Sequence, residues 1–195
     1  LIACIRRIQK FGLQVQAGFI VGFDSDTPSI FERLVRFIQD SGIVTAMVGL
    51  LNAPRGTRLY QRLAEEGRLL KEITGDNTDF SINFIPKMDY EELIGGYKRI
   101  LNTIYSPECY YERVMTFLKG YNPSSHRRGF RLRYSRLKAF LKSVLRLGVV
   151  GKERIQYWKL IFWCLFQRPR LFPLAVTFAI YGFHFRKIFG GYREG

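Results

Sequence analysis

Leu1, Cys4, Ile5 and Ile8 recur at helical spacing, and Gly12 stands where such a helix ends. Leu13–Val21 changes period. Leu13, Val15, Ala17, Phe19 and Val21 alternate with Gln14, Gln16, Gly18 and Ile20, as in a strand. The last part, Ala17–Val21, is apolar on both faces, which suits a buried parallel strand. Asp26 or Thr27 is placed to cap a helix over Ser29–Asp40, with Pro28 at its first position and Ile30, Leu34, Phe37 and Ile38 turned inward. Ser41-Gly42 breaks that helix, Ile43–Leu51 reads as a second strand, 52–57 as a loop, and Thr57 opens a helix to Glu66. Strand, polar loop and helix thus occur twice. This is the repeating unit of a parallel α/β barrel or layered sheet, whose site is lined by the loops after the strand C-termini. Two parallel strands cannot close a barrel. The chain therefore reads as the last part of a larger enzyme, with much of the chemistry expected upstream of Leu1.

The second half reads as helices. Residues 67–87 have weak periodicity, with Gly75, Asn77 and Pro86 as turn residues. Asp89-Tyr-Glu-Glu92 is a capping box opening a helix to about Tyr105, and Ser106-Pro107 opens another to Lys119. After a loop, Phe130, Tyr134, Leu137, Leu141, Val144 and Leu145 form an apolar stripe flanked by Arg131, Arg133, Arg136, Lys138, Lys142 and Arg146. That pattern predicts a basic amphipathic helix. Lys152–Phe166 predicts a further helix. Leu171–Phe185 is free of charge but falls short of the roughly 20 residues a membrane span requires.

Charge sharpens this division. Leu1–Tyr110 carries 13 Lys+Arg and 13 Asp+Glu, whereas residues 111–195 carry 18 against 3, the whole of the net +15. An anionic partner is expected for the second half: lipid headgroups, nucleic acid or another protein. With 47% hydrophobic residues the chain can build a core, which excludes global disorder. Cys4, Cys109 and Cys164 are an odd, widely spaced set with no signal peptide before them, as expected for a reducing, cytoplasmic setting. No pair has the spacing of metal ligands. The chain opens on Leu1 inside a helical pattern, and a fragment of a longer protein is expected.

The chemistry-bearing motif is Gly18-x-Ile20-x-Gly22, followed by Phe23-Asp24-Ser25-Asp26. Glycines at a strand end let a ligand approach the backbone, and they also simply ease packing or turning. Asp24, at the strand's C-terminal end, is the best placed acid for a ligand, while Asp26 suits a cap. Asn52-Ala-Pro-Arg-Gly-Thr-Arg-Leu-Tyr60 forms a Pro/Gly-rich rim after the second strand.

These segments resemble the end of a radical S-adenosylmethionine (SAM) enzyme barrel. The first matches its GxIxGxxE strand, with Ser25 in place of the Glu, and the second its P-x-G-T-x-L-Y segment. Together with Asn83–Met88 and Ile104–Arg113 they resemble the group with an N-terminal cobalamin-binding domain, which includes hopanoid methylases. The resemblance implies the last βα units of a partial TIM-like barrel over residues 1–70 and a mostly helical, basic extension over 71–195. It implies SAM, a [4Fe-4S] cluster and cobalamin as cofactors, a 5′-deoxyadenosyl radical, and methyl transfer to an unactivated carbon of a small-molecule or lipid substrate. It places Gly18, Ile20 and Gly22 near the SAM adenine, with Asp24, Leu51 and Asn52 as further binding candidates. The cluster's CxxxCxxC motif does not occur here, so cluster and cobalamin ligands are expected outside this chain, which alone should be inactive.

The basic half has three readings: packing onto the barrel, contact with an anionic membrane surface through Trp158, Phe162, Trp163 and Phe166, or binding of RNA. No RNA-binding signature accompanies the charge, which ranks nucleic acid last. His126 and His184 lack partners at catalytic spacing and read as structural.

Overall fold

The computed structural model describes residues 1–70, 82–123 and 134–190, with side chains described at all of these except 134–137 and 190. It is mixed α/β and mostly helical, with a small parallel sheet of two strands. The described elements, in order, are α1 (Ile2–Lys10), β1 (Gln16–Val21), α2 (Ser29–Ser41), β2 (Thr45–Leu50), α3 (Arg58–Glu65), α4 (Tyr90–Ile104), α5 (Pro107–Gly120) and α6 (Tyr134–Ser143). A π-helix (Val144–Val150), α7 (Arg154–Gln167), a 3₁₀ turn (Pro169–Leu171) and α8 (Phe172–Gly190) follow. The chain divides into two compact units, residues 17–35 with 46–101, and residues 1–16 with 36–45 and 102–195.

The first of these units holds the sheet. Val21, Ala46, Val48 and Leu50 are buried, whereas Ile20 and Met47 on the opposite phase are 53% and 65% exposed. Strand alternation thus covers one face of the sheet and leaves the other open. Helix α4 supplies much of the cover through Leu93, Tyr97 and Ile100, all buried. The Tyr97 hydroxyl donates to the Val48 carbonyl at 3.0 Å. Gly96 lets α4 close on the Phe31 ring: a methyl group there would collide with it. The predicted caps of α3 and α4 are present. Thr57 Oγ1 accepts from the Tyr60 amide at 3.2 Å, and Asp89 Oδ1 accepts from the Glu92 amide at 2.9 Å.

The other unit is built around α5, α7 and α8, the last two joined by the 3₁₀ turn. Tyr110, Tyr111, Val114, Phe117 and Leu118 of α5 are buried together with Tyr157, Leu160, Ile161 and Cys164 of α7 and Ala175, Phe178 and Ala179 of α8. Gly182 of α8 sits against the Tyr110 ring with no room for a Cβ. Arg113 is fully buried. Its Nη1 donates to Gln39 Oε1 at 2.6 Å, and its guanidinium lies over the Tyr105 and Tyr110 rings at 5.9 and 5.3 Å. Burial is the main cause that lowers its pKa. Burial likewise pushes the Cys164 thiol up to about 11, which makes it an inert core residue.

Three sequence expectations change. On α1 the buried residues are Ile5 and Gln9, while Leu1, Cys4 and Ile8 are exposed. The Gln9 side chain is buried because its amide donates to the Ser41 carbonyl at 3.2 Å, so its polar end is satisfied. The stripe expected over Phe130–Leu145 falls partly outside the described residues. Within them Leu141 and Leu145 are exposed, and α6 passes into the π-helix, which re-aims the side chains so that Leu147 and Gly148 are buried instead. The first strand starts at Gln16 rather than Leu13, since Gly12 at φ +81° and the residues after it form the turn out of α1.

Candidate functional site

The six residues singled out in the sequence all fall in the unit that contains the sheet. Gly18 and Ile20 lie on the open face of β1. Met47 and Gly49 have the matching phase on β2, and a Cβ built at Gly18 or Gly49 meets no atom within 4 Å. Two glycines and two exposed apolar side chains therefore make a flat, apolar floor. The sequence reading missed Met47 and Gly49, although the two-residue period of β2 sets them out of phase with the buried Ala46, Val48 and Leu50.

Gly22 ends β1 at φ +104°, a conformation that favours glycine. A Cβ there would lie 3.2 Å from Leu93 and 3.7 Å from Leu51, so close packing reinforces the same requirement. The Gly22 and Phe23 amides both donate to Asp26 Oδ2, at 2.9 and 3.0 Å. Asp26 thus fastens the loop after β1 rather than the start of α2. Leu51 is buried, and its amide donates to the Val21 carbonyl at 2.8 Å, carrying the pairing of the strands one residue past β2.

Asp24 is held by arginines. Arg68 Nη2 donates to its Oδ1 at 2.7 Å, while Arg68 Nη1 and Arg62 Nη2 donate to its Oδ2 at 3.1 and 3.0 Å. Arg68 also reaches Glu66 at 2.7 Å, the Ile85 carbonyl at 2.9 Å and the Phe84 ring at 5.8 Å. The bidentate bond from Arg68 is the leading cause that holds the Asp24 carboxyl below its usual pKa, with the charges of Arg68, Arg62 and Lys87 adding to it and partial burial opposing it. The same pairing raises the Arg68 pKa.

Asn83 fixes the second loop. Its side chain accepts from the Ala53 amide and donates to the Ala53 carbonyl, both at 2.8 Å, and its own amide donates to Asn52 Oδ1 at 3.1 Å. Arg68 and Asn83 lie on one short ladder, where Leu69 and Phe84 form an antiparallel bridge, the Leu70 amide donates to the Asn83 carbonyl at 2.9 Å and the Ile85 amide to the Arg68 carbonyl at 2.8 Å. The loops after both strands are therefore tied to a common support. The arrangement offers an apolar floor with a polar rim of fixed geometry, which suits a planar heteroaromatic ring carrying a polar tail.

The described residues do not fit an iron–sulfur cluster. Cys4 is exposed on α1, Cys109 half-buried on α5 and Cys164 buried on α7, and among the described residues no group of three or more His, Cys, Asp or Glu could hold a metal ion. No described helix is long and apolar enough to cross a membrane.

Comparison with known proteins gives the following. The family model of a domain of unknown function, DUF4070, matches residues 57–195. An uncharacterized methyltransferase, sll1242, of Synechocystis sp. (strain ATCC 27184 / PCC 6803 / Kazusa) is 33% identical over 193 residues, 97% of this chain and 35% of its own length. The hopanoid C-2 methylase of Rhodopseudomonas palustris (strain TIE-1) is 28% identical over 161 residues, 80% of this chain and 30% of its own. The chain spans about a third of the length of the curated relatives it matches. No solved structure matches.

Proposed function

The chain belongs to the DUF4070 family, within the group of cobalamin-type radical SAM methylases that its sequence resembles, and on that premise we propose that it forms the SAM-adenosine side of a methyltransferase. The observation that carries the reading is the open sheet face. In a chain with methyltransferase-named relatives, the two residues expected beneath the adenine, Gly18 and Ile20, stand on the uncovered face, at the end of a strand whose following loop is firmly held.

Each candidate then has a physical task. Gly18 and Gly49 leave space for a ring to lie against the backbone, and Ile20 and Met47 give it apolar contact. Gly22 turns the chain away so that the loop does not cover the floor. Asp24 acts as a positioning residue through Arg68, and Asn52 and Leu51 set the far rim. SAM bound here would supply the transferable methyl group and, when reductively cleaved, an adenosyl radical. The open face of the sheet is what a further set of strands would cover in a partial TIM-like barrel, and the relatives extend well beyond what this chain spans. The cluster and cobalamin belong in this reading to that remainder, because the described residues do not fit a cluster. By analogy with the hopanoid C-2 methylase, the substrate in this reading is a hydrophobic lipid.

The test uses the longer protein containing this chain, reconstituted anaerobically with iron, sulfide, cobalamin and SAM. The expected result is release of 5′-deoxyadenosine and a SAM affinity that Ile20→Asp lowers at least about tenfold with an unchanged circular dichroism spectrum, a penalty of about 1.4 kcal/mol. No 5′-deoxyadenosine from the wild type, or equal SAM binding by the variant, overturns the proposal.

A further inference from the structure

Helix α7 carries two apolar stripes. The buried one is Tyr157, Leu160, Ile161 and Cys164. The other is Ile155, Phe162 and Phe166, with Lys159 in the same row, at helical offsets of 4, 7 and 11 from Ile155. These three apolar side chains are 73%, 51% and 83% exposed. The π-helix before α7 adds Leu145, Val149 and Val150, at 63%, 55% and 78%. Gly148, Arg154, Ile155, Trp158 and Phe162 line one open groove at this end of α7, where the Trp158 indole donates to the Gly148 carbonyl at 3.0 Å and stacks on Phe162 at 5.3 Å. A helix that is apolar all round is ordinarily covered on every side; here one side is bare.

Charge decides what covers it. Residues 134–190 contain eleven Lys+Arg and one acid, Glu153. Glu153 is buried and paired with Arg186 at 2.7 Å, so no carboxylate of these residues meets solvent on this surface. Lys152, Arg154 and Lys159 are exposed beside the apolar stripe. Cations interleaved with protruding aliphatic and aromatic side chains match an anionic lipid surface. The apolar groups enter the acyl boundary while the cations meet phosphates. An RNA groove would instead present aromatic planes for base stacking, whereas four of the six exposed apolar side chains here are Leu, Val or Ile.

We propose that the outer stripe of α7 and the adjoining π-helix form a docking surface for an anionic bilayer, entered by Ile155, Phe162 and Phe166 and held by Lys152, Arg154 and Lys159. This is independent of the SAM reading and survives its failure.

The test is flotation of the full chain with vesicles of phosphatidylcholine alone, or with 30% phosphatidylglycerol, repeated with a single-stranded RNA competitor. The chain should float with the anionic vesicles at least about tenfold more than with the neutral ones, with a blue shift of tryptophan emission. The double variant Phe162→Ser/Phe166→Ser, compared at an unchanged far-ultraviolet circular dichroism spectrum, should lose at least about tenfold of that binding. Lys159→Glu should lose less and decrease the salt sensitivity of what remains, because one cation fewer meets the phosphates. Absence of binding to anionic vesicles overturns the proposal. So does binding that the double variant leaves unchanged, or displacement of the vesicles by RNA.

Discussion

The two units use arginine in opposite ways. In the unit with the sheet, acids accompany the bases, and Asp24, Arg62, Glu66 and Arg68 form one network that fastens a loop. In the helical unit bases far outnumber acids. Arg113 is accommodated by Gln39 and two tyrosine rings, Arg186 pairs with Glu153, and Lys152, Arg154 and Lys159 face solvent. Paired charges of opposite sign set backbone geometry at short range, whereas uncompensated charges of one sign act on what lies outside the molecule. The difference separates a region whose charges hold a shape from one whose charges are left to solvent.

Overpacking tests the helical cores on both sides of this contrast. Gly182→Val would press on the Tyr110 ring and Gly96→Val on the Phe31 ring, and each should lower stability by about 3 kcal/mol in urea unfolding. Arg68→Ala comes next. It removes a bidentate ion pair and a carbonyl contact, and a loss of about 2 kcal/mol is expected, against less than about 0.5 kcal/mol for the exposed Lys159→Ala. If the two substitutions cost the same, the contrast between the regions fails.

The pH dependence sharpens it further. The Asp24 pKa is lowered in the folded chain, chiefly by Arg68, so its contribution is present above the unfolded carboxyl value of about 3.9 and is lost as pH falls through the folded value. Asp24→Asn should therefore be less stable than the wild type at pH 6, with the two unfolding curves converging as the pH falls below the ordinary carboxyl range. A smaller effect than that of Arg68→Ala is expected for Thr57→Ala, which removes the cap of α3 and costs about 1 kcal/mol.

What the sequence revealed follows from range. The order β1, α2, β2, α3 was legible because each element is set by periodicity within a dozen residues, and the caps Thr57, Asp89 and Ser106 because a cap and its partner amide lie three residues apart. The binding candidates Gly18 and Ile20 could be placed on one strand face from alternation alone. Arg68 and Asn83 were not legible as the supports of the rim. Their partners lie 44 and 30 residues away, and neither carries a local signal. The π-helix was read as continuous α-helix because its apolar residues, Val144, Leu145 and Leu147, continue a helical pattern while the wider turn changes which of them is covered. Gln9 was missed because burial of an amide depends on carbonyls supplied from residues 41 and 42.

The carboxylate of Asp26 occupies two successive amide protons, at Gly22 and Phe23, just where a strand gives way to a loop. Protons so held leave slowly. In deuterated buffer those two positions will retain label-free signal alongside the sheet, and loss of that retention on changing Asp26 to alanine would report the release of the turn before any change in global melting.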